Sequence, residues 1–294
     1  MHLKVGTRGS KLALAQADTV INRLAGLDIQ AERVILTTQG DTATGIPLHE
    51  IGGQGVFVRA LDDAILSGDI DCAVHSMKDI PAFRPSGLVT AAVLKRDSPA
   101  DYIAYTSTLN GVRVIGTSST RRRAQLLRHD PDLTIRDLRG NVDTRIRKMA
   151  AGDYDAIILA EAGLMRLSIR IPGERLPPDQ FVPSPNQGTI AVVSRADPSL
   201  MEMLSALDDT KTRTDVAAER AVMEQIGGGC YTPIGIYCRS GHLIAEVLSL
   251  DGARTERITA EVDTIEKARE QGRDLRDKAQ DLIVAAHASL KVPL

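Results

Sequence analysis

The chain has 294 residues, of which 43% are hydrophobic and 25% charged, a balance that suits two or three folded domains and excludes disordered and collagen-like classes. No run of eighteen apolar residues is present, and Met1–Gly6 leads to Arg8 before a signal-peptide core could form, so a cytoplasmic protein without a membrane span is expected. Net charge is −2, Trp is absent, aromatics are 3%, and three cysteines (Cys72, Cys230, Cys238) are too few for a disulfide framework; no nucleic-acid partner is expected.

The opening predicts a strand at Leu3–Gly6, a tight turn at Thr7-Arg8-Gly9-Ser10, and a helix from Lys11 with Ser10 as its N-cap. A strand is expected at Glu32–Thr37. The polar, glycine-rich stretch from Gln39 to Gly55 that follows is long enough for a mobile lid. Val56–Leu66 patterns as a helix stopped by Gly68. The strand Asp71–Ser76 must end near Pro81, which cannot continue a central strand, and this puts Lys78 and Asp79 at its carboxyl end.

The pattern then repeats. Val112–Gly116 predicts a strand, Thr117-Ser118-Ser119 a turn and Thr120–Arg128 a helix; Leu133–Leu138 predicts a strand and Thr144–Ala151 a helix after Arg139-Gly140-Asn141. Gly152-Asp153-Tyr154-Asp155 echoes Gly68-Asp69-Ile70-Asp71, each introducing a strand. Two similar α/β domains with mainly parallel sheets follow, with ligands expected at the carboxyl ends of strands and in the cleft between the domains. From about Leu207 a helix (Asp215–Ile226), strands (Leu243–Leu250, Arg257–Val262) and one long helix (Ile265–Ala288) predict a small α+β domain.

Nine arginines against four aspartates between Arg113 and Arg147 call for an anion. Cations at a helix N-terminus oppose the macrodipole, so Arg8, Arg121, Arg122, Arg139 and Arg145 at strand–turn–helix junctions make sense if an anion docks there and guanidinium forks close over it. Charge alone does not separate phosphate from carboxylate. Neither a P-loop nor a dinucleotide fingerprint is present, since Arg8 stands where the second glycine belongs. Asp79 is either a turn former or a catalytic carboxylate that stabilises a developing cation. Cys230, behind Gly227-Gly228-Gly229, is either inert or a covalent anchor, whereas Cys72 and Cys238 read as core residues. His75 reads as structural or supporting, and no His/Cys spacing suggests a metal.

Taken in order, Gly6–Ala13, Val74–Pro81, Gly116–Arg122, Arg139–Arg145, Ala160–Leu164, Ala218-Glu219-Arg220 and Gly228-Gly229-Cys230 resemble the porphobilinogen deaminase (hydroxymethylbilane synthase) family over almost the whole chain. The resemblance implies two periplasmic-binding-protein-like domains, residues 1–94 with 189–206 and residues 95–188, and a third domain over residues 207–294. It also implies a monomer. In tetrapyrrole biosynthesis such an enzyme condenses four porphobilinogen molecules onto a dipyrromethane cofactor, here held as a thioether on Cys230, and then releases linear hydroxymethylbilane. Asp79 would be the catalytic carboxylate. Cofactor contacts would come from Ser76, Lys78, Thr117, Ser118, Ser119, Arg121, Arg122, Arg139 and Arg145, and substrate contacts from Arg8, Ser10, Arg139, Arg145 and Gln187. The chain departs from the family at Gln54 and Arg59, where lysines are common. A non-catalytic anion-binding protein would explain the arginine turns but not Gly229-Cys230.

Overall fold

The computed structural model describes residues 2–37, 58–82, 84–106, 108, 111–227 and 231–290. They form two compact units, residues 1–97 with 188–213 and residues 98–187 with 214–294.

The first unit is built on β1 (His2–Arg8), β2 (Gln30–Leu36), β3 (Cys72–Ser76), β4 (Leu88–Val93) and β10 (Ile190–Arg195), in the order β2-β1-β3-β10-β4. β1 pairs in parallel with β2 and β3, while β10 runs antiparallel between β3 and β4. Helices α1 (Lys11–Ala25), α2 (Arg59–Ser67) and α6 (Pro198–Ser205) belong to this unit. Helix α1 buries Gln16, Ala17, Val20 and Leu24, the helical spacing of one inward face, and its apolar members pack with Leu3, Val5, Val74 and Val192 of the sheet. Ser10 caps it, accepting from Ala13 N at 3.3 Å. The pairing of β1 with β2 extends to Arg8 opposite Leu36, so the strand consumes two residues that the sequence assigned to the turn.

The second unit holds β5 (Asp101–Tyr105), β6 (Val114–Gly116), β7 (Thr134–Arg136), β8 (Ala156–Ala160) and β9 (Gly173–Leu176), ordered β7-β6-β8-β5-β9. Here too the first three strands in that order are parallel, and an antiparallel strand, β5, lies fourth. Helices α3 (Thr120–His129), α4 (Val142–Ala150) and α5 (Glu161–Arg166) connect them. The same unit contains β11 (Ile234–Arg239), β12 (His242–Leu248) and β13 (Thr255–Glu261) as an antiparallel sheet with α7 (Thr210–Ile226), α8 (Ile265–Lys278) and α9 (Gln280–Leu290). The single long helix expected over 265–288 is thus two helices, broken at buried Ala279, whose φ of −101° and ψ of 11° leave the helical region.

The two five-stranded sheets share one topology, with β6, β7, β8, β5 and β9 standing where β1, β2, β3, β10 and β4 stand in the other. The echoed Gly-Asp-x-Asp has a structural reason in both. Gly68 and Gly152 take left-handed φ of 85° and 88°, ending helices α2 and α4. Three residues on, Asp71 Oδ2 accepts from Lys4 N at 2.8 Å, and Asp155 Oδ2 accepts from Arg113 N at 2.9 Å and Val114 N at 2.7 Å. The repeated aspartate pins the entrance of one strand to the entrance of its neighbour. Gly6 and Gly116 repeat as well; a Cβ would lie 2.3 Å from Ile70 Cδ1 at the first and 2.8 Å from Tyr154 Cδ1 at the second.

Candidate active site

Adjacent parallel strands finish at one edge of their sheet, and β1 and β3 are such neighbours. Their carboxyl ends and the start of α1 bring Arg8, Ser10, Gln16, His75, Ser76 and Asp79 into the lining of one pocket in the first unit, with Val58 and Val74 as apolar wall. Ser76 is oriented by Gln16, a buried amide whose Nε2 donates to Ser76 Oγ at 2.8 Å. Thr7, fully buried, donates to Ala13 O at 3.1 Å and holds the strand end against the first turn of α1. After β3 the chain makes a 3-10 turn, Met77–Asp79, fixed by Ile80 N to Met77 O at 3.1 Å and Met77 N to Thr189 O at 2.9 Å. Met77 anchors that turn in the core, Lys78 is half-buried and Asp79 is exposed at the pocket. Gln16 was not anticipated; its signal was an amide on the otherwise apolar inward face of α1.

In the second unit, the turn after β6 carries Thr117, Ser118 and Ser119. Ser119 caps α3, accepting from Arg122 N at 3.4 Å, and Thr117 Oγ1 accepts from Ser119 N at 3.2 Å. Ser118 exchanges two hydrogen bonds with Leu138, at 3.1 and 3.0 Å, tying this turn to the end of β7. Arg121 and Arg122 point inward, only 5% and 7% exposed. Asp101, fully buried, accepts from Arg121 Nη2 at 2.7 Å and from Arg122 Nη2 at 2.6 Å. Arg121 also donates to Val182 O and Gln125 Oε1, both at 2.9 Å, and Arg122 to Ile158 O at 2.9 Å. An open pair of guanidinium forks was the expectation; the structure instead neutralises half of that charge with a carboxylate from β5. Burial alone would raise the Asp101 carboxyl, but Arg121 and Arg122 outweigh it and hold it well below the usual carboxylate range.

Gln187 is 1% exposed, and its Nε2 donates to Pro99 O at 2.8 Å and Asp101 Oδ1 at 3.0 Å, so both amide hydrogens are engaged inside the protein. Arg139 and Arg145 flank the start of α4, both half-buried, with Arg145 Nε donating to Gly140 O at 2.7 Å. A second buried network lies alongside: Glu246 on β12 accepts from Gln125 Nε2 at 2.6 Å and pairs with Arg128 at 3.0 Å and Arg257 at 3.2 Å.

Cys72 and Cys238 are buried within β3 and β11, and burial pushes the Cys72 thiol up to about 12, which removes it from thiolate chemistry. Cys230, Gln54 and the Gln39–Gly55 stretch lie outside the described residues, while Arg59 is exposed as the first residue of α2. Among the described residues no cluster of His, Cys, Asp or Glu could hold a metal ion, and no helix is long and apolar enough to cross a membrane.

Residues 3–203 match the porphobilinogen deaminase, dipyromethane cofactor binding domain, and residues 213–281 match the porphobilinogen deaminase, C-terminal domain. A probable porphobilinogen deaminase of Methanosarcina acetivorans is 50% identical, covering 92% of this chain and 90% of its own length. One from Archaeoglobus fulgidus is 45% identical over 94% of this chain and 98% of its own, and the porphobilinogen deaminase of Rubrobacter xylanophilus is 45% identical over 86% of each. The fold, the pocket and these matches define the class: an α/β transferase working with a dipyrromethane cofactor. The chain belongs to the porphobilinogen deaminase family, and its function is that of a hydroxymethylbilane synthase in tetrapyrrole biosynthesis.

Proposed function

We propose that the pocket at the ends of β1 and β3 is where porphobilinogen reacts, with Asp79 as the catalytic carboxylate and Cys230 as the cofactor anchor. The observation that carries this reading is the convergence of Arg8, Ser10, Ser76 and Asp79 in one pocket, a cation and two hydroxyls beside an exposed carboxylate. Arg8 and the N-terminal end of α1 bind a substrate carboxylate. Asp79 accepts the pyrrole N–H and stabilises positive charge on the ring as ammonia departs. Ser76 and Lys78 in the first unit, and Thr117, Ser118 and Ser119 in the second, contact cofactor carboxylates.

The arginines divide into two kinds. Arg139 and Arg145 grip carboxylates of cofactor and growing chain. Arg121 and Arg122 serve the cofactor through the net positive charge that two guanidiniums retain over one Asp101 carboxylate, and Gln187 positions that carboxylate without touching substrate. Of the three cysteines, Cys72 and Cys238 are sealed in strands, which favours Cys230 as the residue that carries the thioether. Bound there, the dipyrromethane would supply the nucleophilic pyrrole carbon for the first unit, each later unit joining the end of the growing chain. We read the chain as three domains, residues 1–94 with 189–206, 95–188 and 207–294, working as a cytoplasmic monomer.

Intact-mass measurement tests the anchor: the protein is heavier than its sequence by one dipyrrole, and Cys230→Ala removes that increment. An unmodified, active wild-type chain would refute it. Asp79→Asn is expected to keep the increment and lose at least about a thousandfold in turnover; a rate near wild type would place the carboxylate elsewhere.

A further inference from the structure

One lining group of the pocket has no part in the reaction as described. His75 lies on β3 immediately before Ser76, is 5% exposed, and lines the pocket with Arg8 and Asp79. Its Nε2 is buried and has no hydrogen-bond partner. Arg84, whose charge acts on the ring, also has a buried, unpartnered Nε and Nη1, while its Nη2 donates to Asp62 of α2. Burial, then the nearby charges of Arg84 and Arg8, lowers the His75 pKa to about 3, so the ring is neutral near pH 7.

A neutral imidazole has one N–H and one lone pair. The Arg84 charge acts on this ring, and a guanidinium offers only N–H groups, so the favoured tautomer keeps the lone pair at the buried Nε2 and the proton at Nδ1. Because the ring lines the pocket and Nε2 is its buried nitrogen, the Nδ1 edge is the one a ligand meets. We propose that His75 is a substrate-binding residue whose Nδ1–H donates to a carboxylate oxygen of the bound pyrrole beside the Arg8 guanidinium, with Arg84 setting the tautomer. This rests on the assignment of the pocket to the reaction. Neutrality has a use here: an imidazolium would pair with Asp79 and compete for the carboxylate that the pyrrole N–H requires, whereas a neutral donor adds direction to the Arg8 contact without altering the charge around Asp79.

The test is steady-state kinetics on the holoenzyme with three variants. Asparagine places an N–H near the position of Nδ1, glutamine near that of Nε2, and leucine offers neither. His75→Leu is expected to raise KM by about tenfold or more with kcat within about threefold and the cofactor mass increment intact; His75→Asn recovers most of the loss and His75→Gln does not. A leucine variant with KM within about twofold of wild type, or better rescue by glutamine than by asparagine, overturns the proposal. If the leucine variant does not fold, nitrogen-15 NMR of histidine-labelled wild-type holoenzyme decides the tautomer, with a protonated Nδ1 and a bare Nε2 supporting the proposal and the reverse refuting it. Asp79→Asn in the same assay separates the two levels. Retained turnover there removes the pocket assignment itself, while an inactive Asp79→Asn beside an unaffected His75→Leu removes only the role of His75.

Discussion

Arg122 holds Asp101 through two nitrogens, Nη2 at 2.6 Å and Nε at 3.1 Å, both on Oδ1, inside the second unit. Arg121 takes the other oxygen, and Gln187 adds a fourth hydrogen bond to the same carboxylate. Two buried cations on one anion are a sensitive arrangement, because the attraction that offsets their desolvation comes mainly from a single side chain.

Asp101→Ala is therefore expected to cost about 3–5 kcal/mol of folding stability, read from urea denaturation. A loss under about 1 kcal/mol would mean that water or chain movement relieves the stranded guanidiniums. The pH dependence follows from the depressed folded-state pKa. Asp101 contributes its full stability above the unfolded carboxylate value of about 4, and that contribution is lost as pH falls below it toward the folded value. An Asp101→Asn variant, already weakened at neutral pH, loses less on acidification than wild type.

Asp155 tests the repeated strand-entrance device. Its carboxylate accepts from the backbone N–H groups of Arg113 and Val114, and these bonds hold its pKa below the ordinary value. Asp155→Ala is expected to destabilise by about 1–3 kcal/mol, since two N–H groups lose a charged acceptor, though nearby water softens the loss. Asp155→Asn recovers part of it by keeping one carbonyl oxygen. Equal stability of both variants with wild type would leave the Gly-Asp-x-Asp echo without a structural cause.

Gly252 and Gly152 form a matched pair. Both have left-handed φ, 73° and 88°, but a Cβ at Gly152 meets nothing within 4 Å, whereas one at Gly252 lies 2.2 Å from Ala124 O and 2.6 Å from Arg128 N of α3. Gly152→Ala should cost about 1 kcal/mol from backbone conformation alone. Gly252→Ala should cost at least about 1–3 kcal/mol more, because the β12–β13 turn must withdraw from the helix. Equal melting temperatures for the two variants would contradict this close approach.

Thiol labelling reports on the cysteines without kinetics. In a folded Cys230→Ala chain, Cys72 and Cys238 should resist alkylation at neutral pH and react only on unfolding. Rapid native labelling of Cys72 would be inconsistent with its burial and with a thiol pKa of about 12.

Arg139 and Arg145 carry the prediction for chain growth. Replacing either by leucine is expected to slow elongation by about tenfold or more, seen by mass spectrometry as accumulation of enzyme carrying partly extended chains. Normal release of product by both variants would remove them from the carboxylate grip.

Much of this was legible in the residues. Ser10 before Lys11, Gly68 after an amphipathic run and Pro81 after Asp71–Ser76 mark boundaries that the structure places within a residue or three, because capping and proline sterics are local. Strands β4, β5, β9, β10 and β11 were not anticipated. The first four depend on partners far away in the chain; β10, for example, pairs with β3 more than a hundred positions earlier, whereas β11 forms a local hairpin with β12. The break at Ala279 carries no glycine or proline to announce it.

The arginine-bearing turns mark the division between the two kinds of information. The sequence by itself determined that cations crowd the starts of helices, that Asp79 follows a strand, and that one cysteine stands behind three glycines, since these are statements about neighbours along the chain. Only the tertiary structure decided which of those charges are available. Asp101, twenty residues before Arg121, arrives on β5 as the antiparallel strand of its sheet and places a carboxylate where the guanidiniums of α3 are buried. A charge pair in the interior depends on distance in space and exclusion of water, and neither can be read from spacing in sequence.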